Sequence, residues 1–287
     1  MSAIRLREHQ VDANSRIRKW VGFPSNNPVP AHGARATMVS ATGSGKTYTA
    51  AAAALDLFRD GRILVMVPTL DLLVQTAQAW RTIGHRSPMV AVCSLEKDAI
   101  LEQLGVRTTT NPIQLALWAR SGPVIVLATY ASLVDRDDPE DMTGQGRVRG
   151  PLEAALAGGE RLYGQQMEPF DLAVVDEAHG TAGDLGRPWA AIHDQQRIPA
   201  DYRLYLTATP RILAAPRPQK GKDGQELEIA SMSADSAAYG KWIYELGLAE
   251  AVERGILAGF EIDVLEIKDP ETVLGLSEDA LRGRRLA

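Results

Sequence analysis

Residues 41–47, ATGSGKT, set a lysine and a threonine directly after two glycines, between the apolar stretch RATMVS (35–40) and a run of alanines at 50–54. A strand that turns on Gly43 and Gly45 and opens a helix at Lys46 and Thr47 aims several backbone N–H groups and a helix N-terminus at one point. That geometry holds phosphate. Thr42, Gly43, Ser44 and Gly45 would form the cradle, Lys46 would reach the β- and γ-phosphates of a nucleoside triphosphate, and the Thr47 hydroxyl would ligate Mg²⁺. Ser40 stands where the strict form of this pattern has glycine, while Gly43 and Gly45, the cradle's essential glycines, are present.

A second constellation lies further along, in LAVVDEAHG (172–180), where Asp176 and Glu177 follow an apolar run. Ligands of open α/β sheets sit beyond the carboxyl ends of the strands, so these acids belong at such an edge. Asp176 would hold Mg²⁺ and Glu177 would orient and deprotonate an attacking water. Standing alone, the pair has a second, lesser reading as an acidic cap of the following helix. Beside a phosphate cradle, the two carboxylates acquire separate tasks.

The elements that position these groups are legible as short, continuously apolar runs at 35–40, 62–68, 88–93, 123–129, 171–176 and 203–209. Continuous rather than alternating runs indicate strands covered on both faces. After the second run, Leu70, Leu73, Val74, Ala77 and Trp80 share one helical face. Repeated strand-helix-strand units predict an α/β fold with a mostly parallel sheet and helices on both sides. The alanines at 50–54 predict close packing of a helix on the sheet. Polar, glycine-containing stretches at 135–151 and 217–226 read as loops or insertions.

Composition sets wider bounds. The chain has 287 residues, 45% of them apolar and 23% charged, which is ordinary for a globular protein. Its single cysteine, Cys93, excludes an internal disulfide and a thiolate zinc cluster, so any metal is held by oxygens. No apolar run approaches the ~20 residues needed to span a bilayer, and the N-terminus lacks an apolar signal core, which predicts a cytoplasmic protein with no membrane partner. The formal net charge of −5 argues against a basic coat for nucleic acid but leaves room for a local basic groove.

In order along the chain, ATGSGKT (41–47), VDEAHG (175–180) and LTATP (206–210) resemble motifs I, II and III of the superfamily 2 helicases and translocases. The resemblance spans roughly residues 6–267 and implies a RecA-like P-loop NTPase lobe that uses ATP and Mg²⁺. LREHQ (6–10) is similar to the family's adenine-recognising segment, so Gln10, helped by Arg7, would read the base edge. VPTLDLLVQ (67–75) resembles motif Ia and ATYASL (128–133) resembles motif Ib, which implies contacts from Pro68, Thr69, Gln75, Thr129 and Tyr130 to a nucleic-acid strand. His179, Thr207 and Thr209 would couple the γ-phosphate site to that strand. Similarity to the motor subunits of type I and type III restriction enzymes and related DNA helicases favours DNA over RNA.

The resemblance also predicts the domain arrangement. Residues 1–258 would form the first lobe, with a helix around Leu248–Ile256 and a strand from Phe260 to Val264 marking the crossing toward a second lobe. Residues 211–287 are too few for the rest of the first lobe and a second one, and no arginine-finger segment is recognisable in them. The expected function is therefore an ATP-hydrolysing motor lobe, weak alone, completed by a second lobe in cis or in trans. The alternatives are a nucleotide-gated binding module and an inactive truncated fragment.

Overall fold

The apolar runs become strands whose successive side chains enter two different cores. In the computed structural model, which describes residues 5–22, 28–95, 97–138, 146–213 and 229–259, Leu64 and Met66 join one buried cluster while Ile63, Val65 and Val67 join the other. Each such side chain removed from water contributes roughly 1.5–3 kcal/mol. A strand buried on both faces cannot alternate in polarity, which accounts for its continuous apolar sequence.

The main sheet has nine strands: β1 (Ala34–Ser40), β2 (Arg62–Val67), β3 (Met89–Val92), β4 (Val106–Thr109), β5 (Val124–Thr129), β6 (Phe170–Val175), β7 (Ala200–Thr207), β8 (Asp235–Ser236) and β9 (Gly240–Leu246). Their spatial order is β8-β9-β1-β7-β6-β2-β5-β3-β4, with every pairing parallel except β8 with β9. The six strands expected from the sequence are all present within a few residues of their expected ends. Three sheet positions were not anticipated: β4, the two-residue β8 and β9. β4 has only four residues and an exposed Arg107, and β9 is largely half-buried, so neither carries a continuous apolar signal.

One face is covered by α1 (Glu8–Val21), α2 (Lys46–Leu57), α3 (Leu70–Ile83) and α7 (Leu248–Glu253), which contribute Ala13, Ile17, Leu73, Trp80 and Ala251 to the core. Ala50, Ala51, Ala53 and Ala54 are buried there, their small side chains allowing α2 to lie close on the sheet. The other face is covered by α5 (Pro112–Trp118) and α6 (Pro151–Ala157), with short α4 (Ala99–Gln103) leading into β4. Helix starts follow capping chemistry: Thr69 accepts from the Leu72 N–H, and Asn111 accepts from the Ile113 and Gln114 N–H groups ahead of a proline at the first helical turn.

At the amino end of the strands, buried Arg62 donates to the carbonyls of Ala119, Gly122, Glu168 and Pro169. Arg203 is buried likewise and donates to carbonyls of Ile192, Ile198 and Ala200. These two guanidinium groups tie down connecting loops on the edge opposite the cradle. Residues Met1–Leu257 pack as one unit. The stretch 217–226 and the strand expected at Phe260–Val264 lie outside the described residues. Among the described residues no helix is long and apolar enough to cross a membrane.

Candidate nucleotide site and adjoining groove

Strand order brings the three motifs together. β7 lies between β1 and β6, so the loop after β1, the acids after β6 and Thr207 at the end of β7 share one carboxyl edge. Gly43 and Gly45 adopt φ of +84° and +86°, a left-handed conformation that a side chain disfavours, and α2 starts directly after them. The hydroxyl of Ser40 lies 2.7 Å from that of Ser44, which donates to the Ala41 carbonyl at 2.6 Å. Ser40 thus closes the base of the turn through its side chain, where the strict pattern has glycine.

The segment 6–10 folds against the same loop. The Gln10 side-chain oxygen accepts from the Arg7 N–H at 2.9 Å, and its NH₂ donates to the Gly45 carbonyl at 3.3 Å. His9 Nε2 donates to the Ser44 carbonyl at 2.8 Å and is buried, a latch that the sequence reading did not assign. The Arg7 guanidinium reaches the Ile256 carbonyl at 3.4 Å. Both Gln10 and Arg7 therefore border the cradle, with Gln10 turned into its backbone.

Opposite the cradle, the Thr47 hydroxyl donates to Asp176 Oδ2 at 3.1 Å, and the Glu177 N–H donates to Asp176 Oδ1 at 2.9 Å. The Asp176 backbone is fixed as well: its N–H donates to the Met66 carbonyl and its carbonyl accepts from the Tyr130 hydroxyl at 2.6 Å. Burial pushes the Asp176 carboxyl above its ordinary pKa, reinforced by Glu177 and opposed by the Glu177 N–H, Lys46 and Thr47. Glu177 takes a left-handed φ of +48°, uncommon for a residue with a side chain. Its carboxylate lies 3.4 Å from His179 Nδ1, which is 3.3 Å from the Thr207 hydroxyl. Thr207 in turn accepts from the Thr209 N–H at 3.2 Å. A cavity of about 460 Å³ opens between these groups, lined by Thr42, Gly43, Gly45, Lys46, Thr47, Asp176 and Glu177.

A separate groove of about 290 Å³ follows the carboxyl ends of β2, β3 and β5. Pro68, Thr69 and Thr129 line it, together with Arg136 and Ser132. Ser132 Oγ is buried without a hydrogen-bond partner among the described residues, and the sequence reading did not single it out. Two residues expected here are elsewhere. Gln75 lines the phosphate-side cavity, because its position on α3 turns it toward the cradle. Tyr130 is wholly buried, its hydroxyl engaged by Asp176, so its side chain has no surface to offer a strand.

A P-loop and an acidic pair on adjoining edges of a parallel sheet, with helices on both faces, define a RecA-like lobe of the superfamily 2 helicase type. The profile of the family described as "Type III restriction enzyme, res subunit" matches residues 3–212. The chain belongs to that family, and it is a helicase-like ATPase domain. Among solved structures, it is similar to the Type ISP restriction-modification enzyme LlaGI, a nuclease-deletion mutant in complex with a DNA substrate mimic, at 21% identity and TM-score 0.60 over 88% of this chain and 21% of that one. The ATP-dependent Type ISP enzyme LlaBIII bound to DNA matches at 23% identity and TM-score 0.58 over 88% of this chain and 16% of that one. The chain thus spans about a fifth or less of each of these proteins. No curated protein matches it in sequence.

Proposed function

We propose that this lobe binds ATP with Mg²⁺ and, completed by a second lobe in cis or in trans, hydrolyses it to drive movement on nucleic acid, with DNA the favoured track. The observation that carries the reading is the hydrogen bond from Thr47 to Asp176: two hard oxygen donors from separate motifs already converge at the cradle, the chemistry Mg²⁺ favours when phosphate oxygens complete its shell. Bound Mg²⁺ would offset phosphate charge.

The chain's own residues divide the remaining work. Backbone N–H groups of residues 43–47 and the start of α2 hold the phosphates, and Lys46 supplies positive charge beside them. Glu177 orients a water and takes up its proton, with His179 restraining its carboxylate. His179 and Thr207 then link that carboxylate to the end of β7, a route by which phosphate occupancy can reach the Thr209 turn. Pro68, Thr69 and Thr129 face the track. The DNA-bound structures of similar fold support this choice of polymer.

The test is ATP hydrolysis measured with and without single-stranded DNA, beside Lys46→Ala and Glu177→Gln. Slow basal turnover stimulated by DNA and abolished in both variants supports the motor reading. Nucleotide binding with no turnover under any condition favours a nucleotide-gated binding module, and no Mg²⁺-dependent ATP binding sinks both.

A further inference from the structure

An aromatic pair adjoins the groove, next to the loop that follows the acids. Trp189, in the short 3₁₀ segment Pro188–His193, stacks on Tyr130 with ring centroids 5.2 Å apart and planes 28° from parallel. Tyr130 is wholly buried, but Trp189 remains 38% exposed. A large aromatic side chain left open to water while its neighbour is sealed represents apolar surface that packing has not covered. Beside it opens a mostly apolar cavity of about 260 Å³ lined by Gly180, Thr181, Arg187, Pro188, Trp189 and Ala190. Gly180 lies beside both rings: a Cβ placed there would be in ordinary contact, 3.7 Å from Trp189 and 3.9 Å from Tyr130.

We propose that this cavity takes an unpaired nucleobase of the track, stacked on the Trp189 indole, with Arg187 meeting the adjoining phosphate. The proposal rests on the motor reading above and adds a base contact to it. Three observations favour a base over an apolar protein segment. The volume lies just under the roughly 300 Å³ at which ordinary small-molecule sites begin, suiting one planar ring rather than a whole nucleotide. Arg187 is exposed and, among the described residues, is the one charged residue in the lining, so the cavity complements a polyanion. The 3₁₀ segment Tyr130–Leu133 joins the two depressions, with Ala131 and Ser132 lining the groove and Tyr130 supporting Trp189.

Stacking on an aromatic ring tolerates any base and adds to phosphate contacts without reading sequence. It also places the base three contacts from Asp176, through Trp189, Tyr130 and the hydrogen bond from Tyr130 to the Asp176 carbonyl.

Anisotropy titrations of labelled oligothymidylate and of an abasic oligodeoxynucleotide of equal length, at fixed salt, test the proposal. The unaltered chain should bind oligothymidylate more tightly. Trp189→Ala should reduce that affinity roughly ten-fold, the scale of one stacked base, leave abasic binding unchanged, and Trp189→Phe should retain most of the preference. Equal affinity of the unaltered chain for the two polymers overturns the proposal without touching the motor reading. So does a Trp189→Ala loss that is the same for both polymers, which points to a protein surface covering the indole instead. Failure of the unaltered chain to bind either polymer overturns the stacking proposal and the motor reading together.

Discussion

The Tyr130 hydroxyl donates to the main-chain carbonyl of Asp176 at 2.6 Å, joining the loop after β5 to the acid that faces Thr47 across the P-loop cavity. Both groups are buried. Tyr130→Phe keeps the ring that supports Trp189 and leaves the carbonyl without its donor, a loss of about 1–3 kcal/mol. Thermal unfolding should fall by a few degrees, and DNA-stimulated hydrolysis should fall more than basal hydrolysis. Unchanged stability would show that water replaces the hydroxyl.

Asp176 imposes a pH dependence of known sign. Its carboxyl has a raised pKa in the folded chain, so the fold binds a proton more tightly than the unfolded chain does, and stability declines as pH rises through the folded value. Asp176→Asn removes this titration. The Tm of the variant relative to the unaltered protein should therefore climb as pH rises from the ordinary carboxylate value near about 4, in the absence of nucleotide, while Mg²⁺-dependent ATP binding is lost. A difference in Tm that stays flat with pH would refute the assigned cause.

His193 acts in the opposite direction. Burial, with Arg35 nearby, pushes it down to about 3, and its Nδ1 lies 2.9 Å from the Tyr205 hydroxyl. The folded chain resists its protonation, so stability is complete above the ordinary histidine range near 6.5 and is lost as pH falls from there toward 3. At pH 5 this amounts to about 2 kcal/mol. His193→Gln should flatten that acid decline in chemical denaturation, whatever its effect at neutral pH. An equally steep decline in the variant would assign the loss to other groups.

At the cradle, Gly45 and Gln10 are mutually dependent. A Cβ on Gly45 would lie 2.5 Å from Gln10 Nε2, and the +86° φ disfavours any side chain. Gly45→Ala should displace the Gln10 amide and strain the turn by about 1–2 kcal/mol, weakening ATP binding about ten-fold or more. Gln10→Ala, which breaks only the side-chain latch, should weaken it less. Calorimetric titration with ATP and Mg²⁺ separates the two, and the reverse ranking would contradict the account.

Residue type and spacing alone located the P-loop turn and the acid pair at the end of its strand, because a tight turn needs glycines at fixed offsets and a doubly covered strand needs an unbroken apolar run. They also determined six of the nine strands of the main sheet, β1, β2, β3, β5, β6 and β7, and α2 and α3. Sequence could not determine strand order, since neighbouring strands in the sheet are far apart in the chain; placing β7 between β1 and β6 is what brings Thr47 to Asp176 and His179 to Thr207. Nor could it determine the direction of individual side chains. The turn of α3 sends Gln75 to the phosphate side, packing withdraws Tyr130 from the surface, and the same packing leaves Trp189 exposed above it. Those placements follow from burial shared among distant segments, a quantity that exists only once the chain has folded.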